Sequence, residues 1–263
     1  MKEFFGIGGY TREVEGYMSW QHLTFVTILM IIMSALAIYF GKKYKNKTIS
    51  DKNKVLLAAA ILMDSLELFK IFMGCYVSQN PLHWLYNLPL FLCSIQLITI
   101  PLAALSKGRL KEASLDFVFI FGLLGAVLGT YLAGNNYAAY PVLSFDNVVS
   151  GITHSISGFC ALYIGISGMK SMKRKNIPIT FCILIGFGIA AFAVNYLGRP
   201  TYNFNYMFLV RGDGTPYDIL FNLVNGSAVL YPLMVIGLLM IYICAFYFIC
   251  FLITKKTKSR SIA

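Results

Sequence analysis

The chain has 263 residues, of which 58% are hydrophobic and 13% charged, with a formal net charge of +11. A soluble domain of this size could not hide that much apolar surface, so the bilayer is the expected solvent. In a soluble protein the charge would suit nucleic acid, but here the cations cluster in connecting segments, which fits anionic lipid headgroups and argues against a nucleic-acid partner.

About 20 apolar residues cross the roughly 30 Å of bilayer hydrocarbon, and seven such runs occur, at 21–40, 55–74, 87–105, 115–134, 148–168, 177–197 and 227–253. The runs are continuous and not alternating, which predicts an all-α, seven-transmembrane-helix bundle and not a barrel. The first run follows a polar, Gly-containing segment and has no small-residue cleavage pattern after it, so it reads as a retained helix. Seventeen of the 22 Lys and Arg residues fall in Lys42 to Lys54, Lys107 to Lys111, Lys170 to Lys175 and Lys255 to Arg260. The opposite connections carry only Lys2, Arg12, Arg199 and Arg211. The positive-inside rule then predicts an N-terminus outside and a C-terminus in the cytoplasm of a multi-pass cell-membrane protein. No repeat or second domain is visible, so residues 1–263 read as one transmembrane domain.

The connections are short except for 198–226 on the outer side, with two prolines, four asparagines and the turn-forming Arg211-Gly212-Asp213-Gly214. A loop of that composition suits a lid or a bilayer-edge cap. Gly125-Ala-Val-Leu-Gly129 in the fourth run, and Gly151, Gly158 and Gly165 in the fifth, read as close-packing positions between helices. The six cysteines show no metal-ligand spacing and no disulfide framework.

Ionisable groups at bilayer depth are costly unless they face an interior or a wet cavity. Asp64, Glu67 and Lys70 follow a three-residue spacing in the second run, so they share a drifting helical face on which Glu67 can pair with Lys70. They read either as an ion-pair network between helices or as part of a site. The three histidines all lie toward the outer side: His22 opens the first run, His83 precedes the third beside Trp84, and His154 is about two turns into the fifth. Cys93 lies at a similar depth in the third run, with Gln96 one turn deeper on roughly the same face. A Cys and a His at equal depth, with carboxylates from a third helix, suit a nucleophile, a base and an orienting group; alone, each also reads as a packing or hydrogen-bonding residue. Asn195, Arg199, Tyr202, Asn203 and Asn205 gather at the outer end of the sixth run, where the Arg fork suits a phosphate or carboxylate.

Three segments resemble those of the YwaF-type bacterial integral membrane proteins, which are related to the transmembrane protein 164 acyltransferases of animals. Ser19-Trp20-Gln21-His22 resembles the family's Phe-Ser-x-x-His opening of its first helix. Asn87-Leu-Pro-Leu-Phe-Leu-Cys93 resembles its Leu-Pro-Leu-His-Leu-Cys segment, and Asn205-Tyr-Met-Phe-Leu209 its Asn-Tyr-Met-Phe-Leu stretch. His154, followed by Ser155, stands in the place of its His-Gly. The resemblance implies acyl transfer between lipids, with Cys93 in the nucleophile's place and His154 in that of its base. Phe91 departs from the pattern, standing where the family has His.

Two functions are carried forward. In the first, a membrane transacylase, Cys93 and His154 move a fatty acyl chain from a phospholipid to a lysophospholipid through a thioester. His22, Asp64, Glu67, Gln96, Asn195, Arg199 and Asn205 bind or orient; Asp64 or Glu67 would orient His154, Arg199 would hold the lipid phosphate, and Asn87 or Gln96 would donate to the oxyanion. In the second, a transporter or small-molecule binding protein uses Asp64, Glu67 and Lys70 in a polar cavity. Neither reading calls for a metal or a cofactor.

Overall fold

The computed structural model describes residues 1–199 and 201–260. Pro200 of the outer loop and the side chains of residues 256–260 in the last basic stretch lie outside the described residues. Among the described residues the chain is helical and has no strand. The helices are α1 (Trp20–Tyr44), α2 (Ile49–Ser78), α3 (Gln96–Leu105), α4 (Gly108–Tyr131), α5 (Gly134–Ala139), α6 (Phe145–Ile166), α7 (Ile177–Gly198), α8 (Tyr217–Leu223) and α9 (Leu230–Arg260). Five segments are long and apolar enough to cross a membrane: Trp20–Tyr44, Gly108–Ala139, Phe145–Ile166, Arg174–Gly198 and Leu230–Lys255. These make the chain a multi-pass, membrane-embedded protein. The α2 helix is also long, at 30 residues, but carries Asp51, Lys52, Lys54, Asp64, Glu67 and Lys70.

The third run differs most from expectation. In place of one helix over 87–105, the structure has a 3-10 turn at His83–Asn87, irregular turns through residues 88–95, and a ten-residue α3. At about 1.5 Å per residue, α3 spans half a bilayer. Pro89 is the cause: it has no N–H to give a helix, and it forces Leu88 before it into an extended conformation (φ −62°, ψ 144°). Cys93 therefore sits on a turn just ahead of a helix and not within one.

Capping sets the other boundaries. The Ser19, Thr48 and Ser144 hydroxyls accept from the N–H groups of His22, Asp51 and Asn147 at the starts of α1, α2 and α6. At the basic end, buried Lys52 donates to the Ser167 carbonyl (2.8 Å) past the end of α6, and Lys111 donates to Asn53 (2.8 Å) and to the Ala104 carbonyl of α3 (3.4 Å). Both satisfy carbonyls that a helix end leaves unpaired. Buried Asp116 of α4 accepts from the N–H groups of Ser171 and Met172, the Asn176 amide and the Tyr247 hydroxyl, which ties the α6–α7 turn to α9.

The α4 and α6 helices pack most intimately; α1 lies against α6, α3 lies between α2 and α4, and α7 with α9 covers the far side of α4. Gly151 meets Phe25 and Leu29, Gly158 meets Met33 and Ala126, and Gly165 meets Phe119, all close-packing contacts. Outside the helices, the N-terminal segment folds across the outer ends of α2 and α6. The Phe4 carbonyl accepts from Phe145 N–H (2.8 Å), and the Phe5 ring packs on Phe69 and Phe145.

Candidate functional site

Cys93 and His154 meet on the C-terminal half of α4, and two glycines make the room. A Cβ at Gly125 would stand 3.4 Å from the Cβ of Cys93, and one at Gly129 would stand 1.5 Å from Cδ2 and 1.9 Å from Nε2 of His154. The two glycines are one helical turn apart on a single face, so the side chains they admit are neighbours. The Cys93 sulfur and the His154 imidazole lie within interaction range of each other, and the N–H groups of Cys93 and Ser94 point at the same sulfur. Gly125-x-x-x-Gly129 therefore seats a side-chain pair, with Gly129 at a close α4–α6 contact of the expected kind and Gly125 against the turn before α3.

His154 is held in one tautomer by its own helix. Its Nδ1 lies 2.9 Å from the Ser150 carbonyl; a carbonyl only accepts, so Nδ1 carries the proton and Nε2 presents its lone pair toward α4. Neither expected orienting carboxylate is the hydrogen-bond partner of His154 Nδ1. Glu67 forms a largely buried ion pair with Lys70 at 2.6 Å. Asp64 makes no hydrogen bond, and its enclosed Oδ1 has no partner among the described residues. The charge of Lys70 acts on both His154 and Asp146, so the field that the histidine meets from this part of α2 includes a cation.

The Cys93 turn is built by hydrogen bonds of residues 88–95. The Ser94 hydroxyl accepts from Phe91 N–H (3.0 Å) and donates to the Phe91 carbonyl (3.2 Å), and Ile95 N–H closes on the same carbonyl (2.9 Å). The N–H groups of Cys93 and Ser94 take no backbone partner. Gln96 is fully buried, its carbonyl oxygen accepts from Thr99 at 3.0 Å, and its Nε2 has no partner among the described residues. Two N–H donors beside the sulfur thus lack a backbone acceptor, and the buried Gln96 amide lacks a partner for its Nε2, among the described residues. Non-helical backbone at membrane depth has to be enclosed by protein, and the outer loop encloses this one. The Tyr206 hydroxyl donates to the Leu85 carbonyl and accepts from Leu88 N–H (3.3 Å), while Phe91 packs on Tyr206 and Phe208 at 5.0 and 5.9 Å between ring centroids.

The remaining expected ligands serve mainly as braces. His22 is buried with both ring nitrogens occupied: Nδ1 accepts from Met18 N–H (3.2 Å) and Nε2 donates to the Thr130 carbonyl (3.0 Å), the residue after Gly129. Asn195 grips the Tyr206 backbone at both ends, donating to its carbonyl (3.0 Å) and accepting its N–H (2.8 Å). Asn205 donates to the Arg211 carbonyl and Asp213, and accepts from the N–H groups of Val210 and Arg211, which uses its whole amide. Arg199 is exposed beside an outer recess of about 340 Å³ that Tyr202 and Asn203 also line, and none of its contacts reaches Cys93 or His154. Gly125, Gly129, Ser150 and Tyr206 are the site's members that sequence reasoning missed as such. The four-residue glycine spacing carried a signal for Gly125 and Gly129, and the Asn205-Tyr-Met-Phe-Leu209 stretch one for Tyr206; Ser150 had none.

Among comparisons with known proteins, a family model described as the TMEM164 family matches residues 17–258. No curated protein and no solved structure matches. The matched stretch takes in His22, Cys93, His154 and Tyr206, and the chain belongs to the TMEM164 family.

Proposed function

We propose that this protein is a cell-membrane transacylase that moves a fatty acyl chain from a phospholipid to a lysophospholipid through a Cys93 thioester. The observation that carries the reading is the seating of Cys93 against a His154 whose free nitrogen faces it, on Gly125 and Gly129 of one helix. In this reading residues 1–263 form one domain with seven crossings, α3 with its preceding turns supplying the third, the N-terminus outside and the C-terminus cytoplasmic. The site then faces the outer leaflet, away from cytoplasmic acyl-CoA, and the donor is a lipid already in the membrane.

His154 Nε2 takes the thiol proton as Sγ bonds to the ester carbonyl carbon, and the carbonyl oxygen takes up the negative charge. The N–H groups of Cys93 and Ser94 and the Gln96 amide are the uncommitted donors suited to that oxygen. Collapse re-forms the carbonyl and breaks the ester C–O bond, and the imidazolium returns its proton to the departing lysolipid oxygen. The acceptor hydroxyl then gives its proton to Nε2, attacks the thioester and releases the sulfur. A thiol away from water needs a base beside it to ionise, which is the role given to His154. Arg199, exposed and without a carboxylate partner among the described residues, suits the lipid phosphate. His22, Asn195 and Asn205 support the site through backbone contacts and do not touch the lipid.

The test is transfer of a labelled acyl chain from phospholipid to lysophospholipid by purified protein in vesicles. Wild type is expected to transfer, and Cys93→Ala and His154→Ala to lose transfer while remaining folded. Well-folded wild type without transfer across several headgroups would overturn the reading. A second reading, a transporter or small-molecule binder, draws on the unpartnered Asp64; it predicts that Asp64→Asn abolishes function while Cys93→Ser does not.

A further inference from the structure

At the basic end of the bundle, opposite the Cys93 site, the cations of the α6–α7 turn have unequal surroundings. Lys173 pairs with Glu112 at 2.7 Å, and Lys175 lies 4.0 Å from the same carboxylate. Lys170 rests over the Phe119 ring at 4.9 Å. Arg174 has no carboxylate partner among the described residues, and its guanidinium carbon lies 4.5 Å from the centroid of the Phe251 ring of α9. A guanidinium held over a ring through its face keeps the edge, with its N–H fork, for other partners.

That edge borders a cavity of about 460 Å³ between the start of α7 and the last turns of α9, walled by Ile177, Cys244, Phe248 and Phe251. Tyr247 forms part of the lining, but its hydroxyl is already engaged with Asp116 (2.9 Å) and Thr180 (3.1 Å). The polar groups free to meet a ligand are therefore cationic, and the rest of the wall is hydrocarbon and aromatic. Phe248 and Phe251 are 57% and 42% exposed on a helix long and apolar enough to cross the bilayer. The sequence adds Lys255, Lys256, Lys258 and Arg260 to the end of that helix.

We propose that this corner is a binding site for an anionic phospholipid of the leaflet at the basic end. Its phosphate would lie on the Arg174 fork with Lys173 at the rim, and its acyl chains along Ile177, Phe248 and Phe251. The charge complementarity selects an anion, because an arginine fork matches phosphate oxygens in pairs. The apolar wall selects a lipid over a soluble phosphate, since hydrocarbon beside the fork offers a soluble ion nothing. Cations near a membrane surface add general attraction, but among the described cations at this end Arg174 is the arginine that lines a cavity. The inference does not depend on the chemistry assigned to Cys93.

The test uses the full chain purified in a neutral detergent, with dioleoyl phosphatidylglycerol, dioleoyl phosphatidylcholine and inorganic phosphate as separate probes. Bound lipid is counted by native mass spectrometry, and thermal unfolding is followed in parallel. Wild type is expected to retain phosphatidylglycerol over phosphatidylcholine and to gain thermal stability with the former alone. Arg174→Ala should weaken phosphatidylglycerol binding about tenfold or more, as expected for loss of a charge-assisted contact. Arg174→Lys, which keeps the charge without the fork, should fall between the two, and it remains informative if the alanine variant folds poorly. Lys43→Ala, at the same end but away from the cavity, should bind as wild type does. Equal retention of the two lipids, unchanged binding by Arg174→Ala, or an equal shift with inorganic phosphate would overturn the proposal.

Discussion

Gly129 of α4 lies directly beneath the imidazole of His154: a single added carbon there would fall 1.5 Å from Cδ2 and 1.9 Å from Nε2. The same carbon one turn earlier, at Gly125, would touch the Cβ of Cys93 at 3.4 Å, an ordinary contact. The two glycines are equivalent as helix-packing residues and unequal as seats. Gly129→Ala is therefore expected to displace the His154 ring and lower acyl transfer by about 10²-fold or more, the range for loss of a positioned base. Gly125→Ala should retain most transfer. Overpacking costs about 1–3 kcal/mol, so thermal unfolding of both variants separates a lost fold from a lost seat. Equal activity of the two variants would contradict this arrangement.

Phe91 stands where the family pattern has a histidine, and its ring packs on Tyr206 and Phe208 of the outer loop. Here the ring joins the Cys93 turn to its cover. Restoring the family residue with Phe91→His is expected to lower the melting temperature, because the aromatic contacts are worth about 0.5–1.5 kcal/mol beyond area burial, and to leave acyl transfer no higher than in wild type. Transfer by the histidine variant alone would show that this position takes part in the chemistry.

Much of the fold is legible because run length and charge asymmetry report directly on helices in lipid. The Glu67–Lys70 pair is legible because a three-residue spacing on a helix fixes proximity. The helix break before α3 was written in Pro89, whose effect on itself and on Leu88 is local; length and hydropathy alone overlook it because turn and helix are equally apolar. The meeting of Cys93 with His154 is of another kind. Sequence gives both an equal depth, but azimuth about each helix depends on which faces are notched, and Gly125 and Gly129 read equally well as ordinary packing positions. The Asn195 and Asn205 amides looked like ligand contacts because their backbone partners lie 6 to 11 residues away, in a loop without periodicity.

The N-terminal segment has a titratable clasp outside the membrane. The Thr11 hydroxyl and the Arg12 N–H both donate to Glu3 at 3.0 Å and hold its carboxyl below the usual glutamate range. A lowered pKa means that ionised Glu3 favours the closed segment: its contribution is present above the ordinary glutamate value and is lost as pH falls through the lower folded value. Proteolysis of residues 1–17 should therefore speed up on acidification, using an acid-tolerant protease, and Glu3→Gln should already be fast at neutral pH. A Glu3→Gln variant as protected as wild type at pH 7 would remove the clasp from the account.

Asn195 is 1% exposed and touches neither Cys93 nor His154 in any hydrogen bond, yet it starts a chain of contacts that ends at the nucleophile. It fixes the backbone of Tyr206, whose hydroxyl bridges Leu85 and Leu88 in the turns before α3, and Cys93 lies five residues beyond Leu88. Asn195→Ala would leave a buried N–H and a buried carbonyl of Tyr206 unpaired, at about 1–3 kcal/mol each. The loss should appear both in thermal unfolding and at the site, as faster alkylation of Cys93 by a membrane-permeant maleimide, because the turn that holds the thiol loses its cover. Asn195→Asp keeps the acceptor for the Tyr206 N–H but not the donor for its carbonyl, so it should fall between wild type and the alanine variant on both measures. A variant that loses stability while Cys93 keeps its wild-type alkylation rate would show that the outer loop stabilises the bundle without positioning the nucleophile.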